Sequence, residues 1–134
     1  MLFAVLAVVI IGAGALAVDL GNAFARKRIT QTQADLAALA GAAKLPQGAT
    51  TAAVDEAFNY LVKNEVLGQG DVSTLKTQMT NGNNADGEIL VQGDSVINVL
   101  TPSAQVDYAL GGVFNQAGID VEAYAQAGVF SPGV

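Results

Sequence analysis

The chain has 134 residues, of which 51% are hydrophobic and 13% charged, with a formal net charge of −6 and neither histidine nor cysteine. This composition excludes the usual zinc sites, nucleophile pairs that need Cys or His, c-type haem attachment and disulfide frameworks. The acidic balance disfavours nucleic acid as a partner, because phosphates select clustered Lys and Arg. The length fits one small domain and one anchor.

Charge divides the chain into three zones. Residues 1–20 carry one acid, Asp19, whereas residues 21–44 carry four basic side chains and Asp35. Residues 45–134 hold ten acids against Lys63 and Lys76. The order is therefore an apolar end, a short basic collar and an acidic head.

The first 18 residues contain no charged or strongly polar side chain. As a helix they span about 27 Å, close to the hydrocarbon thickness of a bilayer. A cleavable signal peptide is disfavoured because the run has no basic residue at its start. A buried core helix is disfavoured because a helix apolar on every side needs a large domain around it. We therefore expect a membrane or filament-core helix.

Small residues and charges at the end of this run indicate a surface for assembly. Ala13, Ala17 and Gly21 recur every four residues, so that another helix can approach closely. Asp19 is interpreted either as a boundary residue at the headgroups or as the partner of a cation from a neighbouring subunit, which would fix the axial register. The cations considered are the N-terminal amine and the collar. The predicted assembly interface comprises Ala13, Ala17, Asp19, Gly21, Arg26, Lys27 and Arg28.

The helix is predicted to continue beyond the apolar run. The apolar residues of the extension fall on one face of the helix: Ile29, Leu36, Leu39, Ala40 and Ala43. Pro46 places the end of the helix near residues 44–45. The single helix is about 40 residues, or roughly 60 Å, long. We divide the chain into a hydrophobic helix at residues 1–24 and a head at residues 25–134 that includes the amphipathic continuation.

Two further helices are predicted in the head. The first begins with a cap at Thr50 or Thr51 and ends before Gly68. Residues 72–80 are compatible with a short helix or a strand, and we favour the helix. Residues 81–87 form a turn cluster whose side-chain oxygens suggest calcium, but their spacing does not match an EF-hand. We expect a plain exposed loop there.

The remaining elements are mainly strands. Residues 88–92 and 95–100 are predicted to form a hairpin through a type II′ turn at Gly93 and Asp94. Residues 106–117 are predicted to be helical, and residues 119–129 to be one strand with a small-residue face that receives the first helix. The expected fold is α+β and pilin-like, with one long helix packed on a small antiparallel sheet and additional helices.

Residues 14–21 (GALAVDLG), the basic residues 26–28 and residues 33–42 (QADLAALAGA) together resemble the TadE/TadG-like pilin family of the tight-adherence (Tad/Flp) pilus system. Two features depart from related proteins. The metal-binding Asp-x-Ser-x-Ser loop of the larger members is absent, and Val5 stands where type IV pilins have Glu. The resemblance implies an exported head, although the basic collar alone predicts a cytoplasmic one by the positive-inside rule.

The function that we expect is structural. The resemblance implies a subunit that polymerises with copies of itself into an extracellular pilus, after insertion in the membrane and with a prepilin-type peptidase and inner-membrane assembly machinery as partners. The alternatives are a membrane-anchored minor pilin or accessory factor of assembly or secretion, and a secreted binding module whose first 20 residues are a signal. No nucleotide-binding loop is present, so we expect neither an enzyme nor a cofactor.

Overall fold

The computed structural model describes residues 1–47, 49–64, 72–82, 87–109 and 117–130. Within these ranges three helices precede five strands, and a 3₁₀ turn at Leu45–Gln47 follows the first helix. The helices are α1 (Leu2–Ala42), α2 (Thr50–Lys63) and α3 (Val72–Thr80). The strands are β1 (Glu88–Gln92), β2 (Val96–Leu100), β3 (Ala104–Asp107), β4 (Gly118–Val121) and β5 (Tyr124–Gly128). The predicted α+β fold with one long helix is confirmed.

Helix α1 contains 41 residues and is about 61 Å long at the standard rise. It is long and apolar enough to cross a membrane, and most of its first 24 residues are exposed. Its last turn ends at Ala42, just before the predicted boundary, because Pro46 follows.

The C-terminal half of α1 packs on the head through small side chains. Its buried face carries only Ala and Gly, and the facing strand β5 contributes equally small residues. Ile97 and Val99 of β2, with Phe58 and Leu61 of α2, complete the core. The buried small residues of α1 and of the strand region are Ala34, Ala37, Ala38, Gly41, Ala42, Ala123, Ala125 and Ala127. The prediction that α1 lies close across a small-residue sheet face is confirmed.

The main sheet has three antiparallel strands in the order β1-β2-β5. Ile97 lies between Val91 of β1 and Ala127 of β5 in the ladder. The hairpin between β1 and β2 is confirmed, but its turn is not of type II′. Gly93 and Asp94 both have positive φ, 57° and 56°, which is the pattern of a type I′ turn.

Strands β3 and β4 form a separate antiparallel ribbon beside α1. The prediction of a helix from residue 106 is therefore wrong for the described part, since Val106 pairs with Ile119 in the ladder. Local periodicity does not reveal this pairing, because Ile119 lies thirteen residues further along the chain. Gly118 allows it, because a Cβ there would collide with the Val106 carbonyl group. Residues 110–116 of the predicted helix lie outside the described residues.

The prediction of one continuous strand over residues 119–129 is also wrong. The segment divides between two sheets, with Val121 ending β4 and Tyr124 beginning β5. Buried and exposed side chains still alternate across the boundary between the two strands. Val121, Ala123 and Ala125 are all buried, while Glu122 and Tyr124 are exposed. The periodicity therefore predicts which side chains are buried, but it does not show that the segment changes its partner strand between β4 and β5.

The two remaining helices follow the predicted pattern with one correction. Helix α2 begins at Thr50, but its N-cap is Ala49 with no side-chain hydrogen bond, so the capping role given to Thr50 or Thr51 is wrong. Helix α3 matches its predicted bounds. The predicted extension of α2 over residues 65–67 and the central part of the turn cluster, residues 83–86, lie outside the described residues.

Candidate assembly interface on the first helix

The membrane-proximal half of α1 has two opposite faces. Ala15, Asp19 and Ala23 are buried at 5–8% exposure and recur every four residues on one side of the helix. The predicted small-residue stripe of Ala13, Ala17 and Gly21 is exposed. At about 100° per residue the two stripes lie on opposite sides of the helix. The head therefore covers one side and leaves the predicted interface side uncovered.

Asp19 is held by the head of its own chain. Its Oδ1 accepts a hydrogen bond from the Ala109 backbone N–H at 2.8 Å, and its residue exposure is 5%. Ala109 lies two residues after the end of β3, so the ribbon brings this donor to α1 from 90 residues away. The sequence indicates that the Asp19 carboxylate needs a polar partner. It does not reveal that this partner is the Ala109 backbone N–H, because the ribbon was not predicted.

The basic collar remains on the surface. Arg26, Lys27 and Arg28 are exposed, and the structure shows no ion pair for them among the described residues. Arg26 lines a cleft of about 560 Å³ between α1 and the ribbon, to which Asp107 also contributes. Lys27 lines a smaller cleft of about 180 Å³ with Asp120. These cations are therefore accessible to charges of another molecule.

The extension of α1 exposes its larger apolar side chains. Ile29, Leu36 and Leu39 are 51%, 41% and 59% exposed. The helix turns its Ala and Gly face to the sheet instead, because only small side chains permit the close approach at Gly41. The apolar periodicity places these residues on one face of the helix but does not show that this face is a free surface. The small residues of the opposite helix face and of β5 were the signal that could have shown it.

The described residues form no cluster of metal-binding side chains. Among the described residues there is no group of three or more Asp or Glu side chains placed to hold a metal ion. The carboxylates of the ribbon, Asp107, Asp120 and Glu122, are exposed at its surface. Chemically, α1 offers apolar packing and charge pairing.

Comparison with known proteins identifies the helix and not the head. Residues 1–44 match the family model described as putative Flp pilus-assembly TadE/G-like. No curated protein and no solved structure matches the chain. The match coincides with α1 and the turn after it, which confirms the resemblance drawn from the sequence over that part of the chain.

Proposed function

We propose that this chain, whose first 44 residues match the TadE/G-like pilus-assembly family, is a structural subunit that polymerises through its N-terminal helix into an extracellular pilus. The observation that carries the proposal is the uncovered apolar half of α1. Its large side chains are 45–110% exposed at the positions Met1, Leu2, Phe3, Val5, Leu6, Val8, Val9, Ile10, Ile11, Leu16, Val18, Leu20 and Phe24. An apolar surface of this extent needs lipid or other subunits around it.

Assembly requires specific packing because lipid already covers apolar side chains. Helix association in an apolar environment depends on close contact and on polar pairing, and small residues permit the closest approach. Ala13, Ala17 and Gly21 supply such a surface opposite the head. A Cβ on Gly21 would meet no atom within 4 Å in its own chain, so the space beside it is open to a neighbouring helix.

The same proposal assigns a place to each part of the chain. The part of residues 1–24 that the head leaves uncovered inserts in the membrane before assembly, and residues 25–134 form the exported head. A prepilin-type peptidase and the inner-membrane pilus machinery act on the subunit before it joins the filament. The exposed collar, Arg26 to Arg28, meets the acidic heads of neighbouring subunits, an attraction that salt weakens.

A second candidate function is a membrane-anchored minor pilin or accessory factor of assembly. The observation that favours it is the extent of the family match, which covers the helix and leaves the head outside. The description of the matched family concerns pilus assembly. In this case few copies of the chain are present for each filament, and the head carries the specific contact.

Electron microscopy of native filaments tests the two candidates. A polymerising subunit is labelled along the whole filament by an antibody against the head, whereas an accessory factor stays in the membrane fraction or at the filament base. Gly21→Leu is expected to abolish incorporation, because it fills the free face without touching the head. Gly21→Ala is the matched control and retains incorporation. Continuous filaments without the chain would exclude the polymerising role.

A further inference from the structure

The uncovered face of α1 continues past the membrane half and alongside the head. It lies opposite the face buried by the head, and its members are Gly14, Val18, Gly21, Ala25, Arg28, Ile29, Thr32, Asp35, Leu36, Leu39 and Ala43, all exposed. Lipid cannot cover Leu36 and Leu39, because they lie at the level where the same helix packs on the sheet. We call these eleven residues the outer seam.

The outer seam carries two opposite charges one heptad apart. Arg28 and Asp35 lie within about 20° of each other around the helix and about 10.5 Å apart along it. Gln31 Nε2 donates a hydrogen bond to Asp35 Oδ1 at 3.0 Å, which holds the carboxylate at the helix surface. Both side chains are exposed, so each is accessible to another molecule.

We propose that the outer seam binds the outer seams of other copies around a shared axis, with each copy raised by one heptad, about 10.5 Å, relative to its neighbour. This inference rests on the proposed polymerisation and adds its axial register. Raising a parallel copy by seven residues places its Arg28 beside Asp35 of the lower copy. Each copy then offers one unpaired charge upward and one downward, so the contact repeats without closing.

Parallel copies at equal height have the opposite electrostatics. Arg28 then lies beside Arg28 and Asp35 beside Asp35, and like charges at close range repel. Copies anchored in one bilayer are held near equal height by their apolar segments. The outer seam is therefore repulsive between copies in the membrane and attractive between copies that have been raised in sequence.

Side-chain sizes agree with the same register. A shift of seven residues brings Leu36 of the raised copy to the level of Ala43 of the lower copy, and Gly14 to the level of Gly21. A large side chain thus meets a small one at residue 43, Ile29 of the raised copy meets Leu36 of the lower copy in an apolar pair, and two glycines meet within the apolar half. Alternation of large and small residues across facing positions gives close packing.

Cysteine cross-linking tests the register directly, since the native chain has no cysteine. The double variant Ala25→Cys/Thr32→Cys, expressed in cells with the complete native assembly machinery, places one thiol of each copy beside the other thiol of its neighbour. The two thiols of one chain cannot join, because their Cα atoms are about 10.5 Å apart and a disulfide needs less than about 7 Å. Oxidation is expected to give a ladder of multimers in filaments.

Matched single variants distinguish the registers. Ala25→Cys alone and Thr32→Cys alone are expected to give no cross-link, and their co-expression gives dimers joined between positions 25 and 32. Dimers from either single variant would instead show copies at equal height and would overturn the inference while filaments persist. Filaments of the double variant without a ladder would overturn it equally. Absence of the native chain from filaments would overturn both the inference and the proposed function.

Charge reversal provides an independent readout. Arg28→Glu and Asp35→Arg each place like charges together in the raised register, so both are expected to lower the amount of polymer sharply. The double variant Arg28→Glu/Asp35→Arg restores the opposite pair and is expected to restore the polymer. A double variant no better than the singles would contradict the pairing.

Discussion

Asp19 of α1 and Ala109, two residues after β3, are joined by a hydrogen bond of 2.8 Å, from the Ala109 backbone N–H to the Asp19 carboxylate. The contact fixes the ribbon to the membrane-proximal half of the helix. It also occupies one carboxylate oxygen within the chain, on the side opposite the free small-residue stripe.

Asp19 substitutions separate the role of the hydrogen bond from that of the charge. Asp19→Ala removes the acceptor and is expected to cost about 1–3 kcal/mol of unfolding free energy, because the Ala109 N–H loses its partner. Asp19→Asn keeps an oxygen acceptor and is expected to cost less. Denaturant unfolding of the full chain in detergent measures both.

The same pair of variants tests whether Asp19 also meets a cation of a neighbouring subunit. In that case Asp19→Asn weakens filament assembly although the head stays folded. Full assembly with Asn would leave Asp19 with an intramolecular role alone.

Gly41→Ala is expected to destabilise the head. The added Cβ would lie 2.5 Å from Ile97 Cδ1 and 2.8 Å from the Ala53 carbonyl oxygen. Overpacking of this kind costs about 1–3 kcal/mol. Gly21→Ala is the control, since it meets no atom within 4 Å and favours the helix by up to about 1 kcal/mol. Equal melting temperatures for the two variants would contradict the close contact of α1 with the sheet.

Thr101→Val is expected to loosen the connection between the end of β2 and the start of β5. Thr101 is 1% exposed, and its Oγ1 accepts a hydrogen bond from the Ala123 N–H at 2.9 Å. Valine has nearly the same shape but no acceptor, so the buried N–H stays unpaired at a cost of about 1–3 kcal/mol. Faster hydrogen exchange at Ala123 locates the effect. Thr77→Val on exposed α3 is the control and should leave that exchange rate unchanged.

Lys76→Met is expected to have a small effect. The ion pair of Lys76 Nζ with Asp55 Oδ1, at 2.7 Å, joins α3 to α2, but both side chains are more than 40% exposed. Exposed pairs of this kind contribute about 0–1 kcal/mol and weaken with salt. Thermal unfolding at low and high salt measures the contribution. A loss well above this range at high salt would indicate that Lys76 acts through packing instead.

The sequence by itself determined the helices and the hairpin of the head because their signals are local. Pro46 marks the end of α1, and alternation of small residues marks the buried face of β5. Ala13, Ala17 and Gly21 could be proposed as assembly residues from the sequence because regular spacing on a helix defines a face. The uninterrupted apolar run predicted a helix long and apolar enough to cross a membrane, because length and composition are local properties.

Only the tertiary structure decided which face of α1 is free and where Asp19 finds its partner. Both depend on the β3-β4 ribbon. The apolar periodicity instead predicted a helix over residues 106–117, which include the whole connection between these two strands. Strand pairing and helix docking are contacts between segments that lie far apart in the sequence. A local pattern of apolar residues is the same whichever segment it packs against. The exposure of Leu36 and Leu39 follows from the same cause, since the sheet selects the small side of the helix for its close approach.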